Sequence, residues 1–463
     1  MRRSRRLAAL VASAAATGMA LSACSTQPAQ DDGTTITVWS LENLTERTAA
    51  TQRIIDGFTE ETGIEVELVG VDENQLGQLI MSSAAAGTLP DVIGAVPLSS
   101  VRQMASNDLL NTEAATRIVA DLDPGTFNER ALELTGDGDA RLAVPSDAWT
   151  QLLVYRTDLF EEAGLAPPTT YADIEKAAAA LDAPGMDGIS LATDPGDAFT
   201  QQSFEYVALA NGCDLVAPSD GVALDSPECR RAFSFYGDLV TQYSASGAQT
   251  VDSTRATYFA GRSAMIVWSS FLLDELAGLR ADALPSCPRC QDDPRWLADN
   301  SGVVAAVQGP DGAAPAQFGE VTSWAVTTTA HEESSRAFVE HMLGEGYADW
   351  FGMAPEGKFP ARNGTPEDPD RFQRAWDESE AGVDTRAPLS EVFPQEVLDQ
   401  QRNGLTRMRR WGITEGRGAL IGATMGELPV PRAISAMAGG QISADEAAEQ
   451  AHEDVTAIQT SLQ

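Results

Sequence analysis

In Ile36-Thr37-Val38-Trp39-Ser40 the apolar side chains fall on every second position, the pattern of a strand with one face turned inward. From Thr48 to Thr62 the spacing changes: Ile54, Ile55 and Phe58 recur at helical intervals, and Gly63 closes the segment. Alternation returns in Ile64-Glu65-Val66-Glu67-Leu68-Val69, helical spacing in Leu76 to Ala86, and Gly87-Thr88-Leu89-Pro90-Asp91 then leads into a strand at Val92 and Ile93. A strand, helix, strand, helix, strand succession predicts an α/β domain built on a largely parallel sheet.

Further on, Leu142-Ala143-Val144-Pro145 feeds a strand at Gln151 to Tyr155, and Thr169 or Thr170 caps a helix that runs to Leu181. A mostly helical region is expected from Thr200 to Ala256, a buried strand over Ser263 to Trp268, and later strands over Gly302 to Val307 and Val321 to Val326. Glu332 to Leu343 reads as a helix, and the last third is helical. Ser443 and Glu446 form a capping box that opens a final helix reaching Ile458. Arg407, Arg409 and Arg410 beside Trp411 read as a solvated or acid-paired helix face. The chain shows no internal repeat and no heptads.

The first residues follow another rule. Met1-Arg2-Arg3-Ser4-Arg5-Arg6 precedes an apolar run from Leu7 to Leu21, the two parts of an export signal. The run is shorter than the roughly 20 residues of a bilayer span, which disfavours a transmembrane anchor. Leu21-Ser22-Ala23-Cys24 resembles the bacterial lipobox, whose cysteine is acylated and becomes the first mature residue; an ordinary secretory signal cut after Ala23 is the alternative. The expectation is a signal peptide over 1–23, Cys24 as the lipid attachment site, and a linker over 24–35 that tethers the protein to the extracellular face of the cell membrane.

The 463 residues are 43% hydrophobic, enough for one large or two ordinary domains. Sixty-eight acidic residues against 31 basic give a net charge of -37, a field that repels nucleic acid and anionic membrane surfaces. Cys213, Cys229, Cys287 and Cys290 remain after Cys24; in an exported chain they read as two disulfides whose pairing the sequence leaves open. For Cys287-Pro288-Arg289-Cys290 a redox dithiol or half a zinc site are the alternatives. Its loop context and the helical setting of His331, His341 and His452 tell against both. There is no Gly-x-Ser-x-Gly, HExxH or P-loop, so no enzyme, cofactor or metal is expected.

Several segments, taken in order, resemble the bacterial extracellular solute-binding proteins of the family that includes maltose-binding protein. Trp39 ends the opening strand; Phe58 with Thr62-Gly63-Ile64 resembles the family's helix into its second strand; and Ala84 to Asp91 resembles its small-residue helix end before Gly-x-x-Pro-Asp. Leu142 to Phe160 resembles the crossing between lobes, Phe259-Ala260-Gly261-Arg262-Ser263-Ala264-Met265 resembles Phe-x-x-Gly-x-Ala-Met, and Gly439 to Ala448 resembles the last turn and helix. The resemblance implies an α/β, two-lobed periplasmic-binding-protein-like fold of type II, with discontinuous lobes over 35–145 plus 300–345 and over 146–299 plus 346–463. It also implies the substrate-binding component of an ABC importer, a monomer that captures a sugar or oligosaccharide between the lobes and delivers it to the permease transmembrane subunits. A receptor for a polyamine or other small polar solute is the alternative.

A pyranose offers hydroxyls and a patch of C–H, so its site calls for aromatic faces and planar polar groups. Trp39, Glu42 and Asn43 lie at the end of the first strand, where open sheets place their ligands. Asp147 and Trp149 follow the first crossing, and Asp147 resembles an acidic family position that meets sugar hydroxyls. Trp268 and Phe271 compete for an aromatic position beyond the Ala-Met strand. Glu320 and Trp324 belong to the segment resembling the later crossing, and Lys358 and Arg362 to a loop returning toward the cleft. Met425 and Arg432 fall where maltose-type receptors present an aromatic ring.

Overall fold

The computed structural model describes residues 35–218 and 221–462. The expected signal peptide and Cys24 lie outside the described residues, and Thr35, expected to end the linker, already opens the first strand. Strand β1 (Thr35–Ser40) lies between β2 (Glu65–Gly70) and β3 (Val92–Val96), parallel to both. Helix α1 (Thr45–Thr62) buries Ile54, Ile55 and Phe58 on one face, and Gly63 ends it at φ +75°, where a side chain would be strained. Asp72 caps α2 (Glu73–Ala86), which buries Leu76 and Ile80. The βαβ start expected from the periodicity is present.

Two long antiparallel strands join the lobes. The first half of Val144–Arg156 pairs with Gln317–Val326, which pairs in turn with β3, while its second half pairs with Met265–Ser269 and Ser301–Val304. Phe359–Pro360 lies along Asp147 and Ala148, completing with Met408–Arg409 a nine-stranded sheet. The strand expected at Gln151 to Tyr155 begins earlier: one strand of 13 residues, buried along almost all its length, takes in the segment that feeds it from Val144. Proline cannot donate to a ladder, and Pro145 sits where the register shifts by a bulge before Asp147.

The expected helical region from Thr200 resolves into Ala198–Ala210, Pro227–Gln242 and Val251–Phe259. A disulfide joins Cys213 to Cys229 across the first of these connections, and a second closes the turn from Cys287 to Cys290. Thr170 is the cap of Tyr171–Leu181, and the Ser443 and Glu446 box opens Ala444–Ser461.

Ser301–Val304 pairs with the second half of the crossing strand, whereas helix Tyr347–Gly352 packs on α1 and its Trp350 rests on Trp324 at 4.8 Å between ring centres. The basic cluster is acid-paired, as one of its two expected readings had it, although Arg409 and Arg410 lie beyond the helix Gln395–Arg407: Arg410 is buried between Glu205 and Glu320, since a cation out of water must be paired. Its neighbour Arg409 reaches Asp214 at 3.1 Å. Among the described residues no helix is long and apolar enough to cross a membrane.

Candidate functional site

A cavity of about 320 Å3 lies where the turn after β1, the end of β3, the first half of Val144–Arg156 and the end of Met265–Ser269 converge. Each wall has a local cause. The Ser40 hydroxyl accepts the Glu42 amide at 3.2 Å and turns the chain sharply after β1. In β3 a Cβ on Gly94 would stand 2.3 Å from the Trp324 ring, so only glycine fits there. The strand bulges at once, and Ala95 takes φ +59°, a strained conformation of the kind found at functional sites. Ala95 and Pro97 thereby become cavity wall, and the bulge at Pro145 brings Asp147 to the same space.

Lys358 is fully buried on the floor. Its Nζ lies 2.5 Å from Glu42 Oε1 and 3.2 Å from Asp147 Oδ1, and 4.3 Å from the centre of the Trp350 ring. Asp147 also accepts from Ser146 Oγ at 2.7 Å, Trp350 Nε1 at 2.8 Å and Thr322 Oγ1 at 2.9 Å. Arg47 binds Glu42 Oε2 at 2.9 Å and lies over the Phe271 ring. Arg255 pairs with Glu275 at 2.8 Å, and Arg280 with Glu46 at 3.0 Å and Asp282 at 2.9 Å. Burial works against the Glu42 carboxylate, but Lys358 and Arg47 outweigh it and hold its pKa down at about 2.

Glu73 is the one charged residue lining the cavity that has no ion pair among the described residues. Its side chain is exposed, yet protein stands close around the carboxylate; this desolvation, with the charges of Glu320 and Asp197, pushes its pKa up to about 7. Behind the cavity Glu356 is buried and neither of its carboxyl oxygens has a hydrogen-bond partner among the described residues. Burial and the nearby Asp274 push its pKa well up, and burial with Glu275 raises Asp274 to about 7.

Three aromatic rings line the same space. Trp149 is half-buried, backed by Phe318 at 5.8 Å between ring centres. Phe271 is half-buried with Arg47 on its ring, and a Cβ on Gly357 would stand 2.1 Å from it. Trp268 is buried and its indole N–H donates to the Val251 carbonyl at 3.0 Å.

Of the residues singled out in the sequence, Glu42, Asp147, Trp149, Trp268, Phe271 and Lys358 come together on this cavity. The others do not line it. Trp39 packs beside the small core around Val71 and Ile80, because alternation turns it away from Val38. Asn43 is exposed and donates to the Val71 carbonyl at 3.2 Å. Glu320 accepts the Leu98 amide at 2.9 Å, at the start of helix α3 (Leu98–Ser106), and pairs with Arg410. Trp324 fills the interior against Gly94, Phe338 and Trp350. Arg362 is buried and donates to Thr126 Oγ1 and to the carbonyls of Leu343 and Leu122. Sequence reasoning missed Arg47, Glu73, Arg255, Glu275 and Arg280. Arg47 and Glu73 open the helices that follow β1 and β2, a position that could have flagged them.

The model of the bacterial extracellular solute-binding proteins matches residues 53–377. The chain belongs to that family. A solute-binding protein of this kind is a binder and not an enzyme. The chain is 26% identical over 323 residues to YcjN of Escherichia coli K12, named as an ABC transporter periplasmic-binding protein, with 68% of this chain and 70% of that one covered. Solved structures of similar fold include the GacH receptor of Streptomyces glaucescens, with a TM-score of 0.68 and 21% identity over 91% of this chain and 97% of that one. They also include a sugar transporter protein of Arthrobacter chlorophenolicus, with a TM-score of 0.71 and 15% identity over 92% of this chain and 99% of that one. At these identities the solved structures speak for the fold of this solute-binding protein.

Proposed function

We propose that the protein is the receptor of an ABC importer, anchored through Cys24 on the outer face of the cell membrane, and that it captures a neutral carbohydrate between its lobes. The observation that carries this reading is the cavity floor. Its cations and carboxylates neutralise one another in a fixed network, leaving oriented donors and acceptors for hydroxyls without a net charge that would demand a charged ligand. The half-buried Trp149 supplies the ring face for the C–H patch, with Phe271 beside it. The GacH structure is described with acarbose and the Arthrobacter chlorophenolicus structure with laminaribiose, which supports the same ligand class.

In this reading Glu42, Asp147, Trp149, Trp268, Phe271 and Lys358 form the site, the lobes close about Val144–Arg156 and Gln317–Val326, and the closed monomer is what the permease subunits recognise. The unpaired Glu73 favours a second reading, a polyamine whose ammonium it would meet. Isothermal titration against pools of neutral sugars, with spermidine as the parallel arm, tests both. Saturable heat with sugar and none with spermidine is expected; heat with spermidine alone would overturn the carbohydrate reading.

A further inference from the structure

Besides the cavity described above, Trp149 lines a narrow pocket of about 10 Å3, room for one guest the size of a water molecule. Three distant segments bring polar side chains to it: Thr150 from the crossing strand, Glu356 from the loop before Phe359–Pro360, and Gln401 from the helix Gln395–Arg407. They are 4%, 2% and 5% exposed. Thr150 Oγ1, both carboxyl oxygens of Glu356 and Gln401 Oε1 have no hydrogen-bond partner among the described residues. The Gln401 amide is held in place, since its Nε2 donates to the Glu356 carbonyl at 3.1 Å and its oxygen is the end left over.

A second carboxylate stands close by. Asp274 is buried, its charge acts on Glu356, and its Oδ1 is unpartnered among the described residues. The cations that act on Glu356 are engaged elsewhere, Arg47 with Glu42 and Arg280 with Glu46 and Asp282. Buried polar atoms in native proteins are satisfied, and a proton on Glu356 serves one of these oxygens and leaves the others. Carboxylate, amide and hydroxyl oxygens are the donors that calcium takes, and two carboxylates balance its charge.

We propose that this pocket is a calcium site, in which Glu356, Gln401 Oε1 and Thr150 Oγ1 bind the ion and Asp274 balances its second charge. The ion ties the crossing strand to the loop that carries Lys358 and to the helix Gln395–Arg407. In calcium-free buffer Glu356 keeps a proton instead, and the entering ion releases it to solvent. None of the three ligands lines the inner cavity, so the inference is independent of which solute binds there.

Titration calorimetry on the full chain, stripped of metal by a chelator and held at constant ionic strength, decides it, with calcium chloride in one arm and magnesium chloride in the other. Wild-type protein is expected to bind one calcium ion saturably and magnesium not at all, because magnesium gives up its water reluctantly. Glu356→Gln, which keeps the shape of the protonated acid, should abolish calcium binding. Thr150→Val, which keeps the branched side chain packed at Gly404, should weaken it about tenfold. Calcium at a hundred times its Kd should raise the melting temperature of wild type by about 3 °C and leave that of Glu356→Gln unchanged. Equal responses to calcium and magnesium, or a calcium response that both variants retain, would mean that the acidic surface gathers the ions, and would overturn the site. Neither heat nor a shift in melting temperature with calcium would overturn it in favour of a protonated Glu356 beside a single water.

Discussion

The inner cavity of this protein and an outer one, of about 560 Å3 between α2, α3 and the helix Gly418–Glu427, touch at Glu73 and Pro97 and are built on opposite principles. In the inner one Lys358, Glu42, Asp147 and Arg47 are paired with one another, so its polar groups are held by the same contacts that hold the crossing strand, the β1 turn and the Phe359–Pro360 strand together. In the outer one Gln78, Ser100 and Gln103 carry neutral groups with no side-chain hydrogen bond among the described residues, beside the carboxylates of Glu73 and Glu427, on helices whose packing is set elsewhere by glycine. A buried charge cannot be left alone, whereas an amide facing open space can be removed at little cost. Inner residues therefore couple binding to folding, and outer residues are free to adjust what is bound.

The largest effect expected from this contrast is that of Lys358→Met. It leaves the Glu42 and Asp147 carboxylates without their shared cation in a place 0% exposed at Lys358, and breaking such a pair costs about 3–5 kcal/mol. Urea denaturation should show a much lower midpoint with an unchanged slope, while Gln103→Ala stays within about 0.5 kcal/mol of wild type. Equal midpoints for the two variants would erase the distinction. Next in size, Trp149→Ala should weaken sugar binding about thirtyfold by calorimetry, the loss of a central aromatic anchor. Trp268→Ala, which empties a buried site, should act on the melting temperature more than on affinity.

The contrast also explains what the sequence could disclose. The βαβ start and the final capping box are local, and period and cap residues alone place them. Glu42, Asp147 and Lys358 were legible because they follow strands or a returning loop, but their meeting depends on a contact spanning more than two hundred positions, between Asp147 and Lys358. Glu320 and Trp324, expected at the site, do not line this cavity for the same reason. Glu320 is claimed by Arg410 and by the amide of Leu98, and Trp324 by the hollow at Gly94, partners that no nearby residue announces. Of the outer cavity's lining the sequence singled out Met425 alone, through the family resemblance, since its walls are made by where two helices part.

A smaller effect separates two sets of carboxylates by pH. The pKa of Glu42 is held at about 2, below its ordinary 4.5, so its contribution to stability is full above about pH 4.5 and is lost as the pH falls through about 2. Asp274 and Glu356 behave in the opposite sense. Above the ordinary carboxylate range the unfolded chain releases protons that the folded chain keeps, so stability declines as the pH rises through about 7, where Asp274 ionises, and Glu356, whose pKa burial also raises, adds to the decline. Glu356→Gln replaces a protonated acid by its neutral isostere. Its denaturation midpoint should match wild type at pH 5 and exceed it at pH 8; a wild-type midpoint that rises between those values would show that Glu356 is not holding a proton.

The smallest effect is a gain, and it asks whether a ring added to the outer wall can take part in binding. Met425 is half-buried on the outer wall, and no aromatic residue lines that space. A tryptophan there would offer a rigid face with fewer rotatable bonds than the methionine it replaces, so less freedom is lost when a sugar unit settles on it. Aromatic contacts of this kind add about 0.5–1.5 kcal/mol, so Met425→Trp should tighten disaccharide binding about threefold to tenfold by calorimetry. Monosaccharide affinity, read in the same titrations, should move by less than about twofold. A matching gain for monosaccharides would mean that the first sugar unit already reaches the outer wall and that the boundary at Glu73 and Pro97 does not divide the ligand.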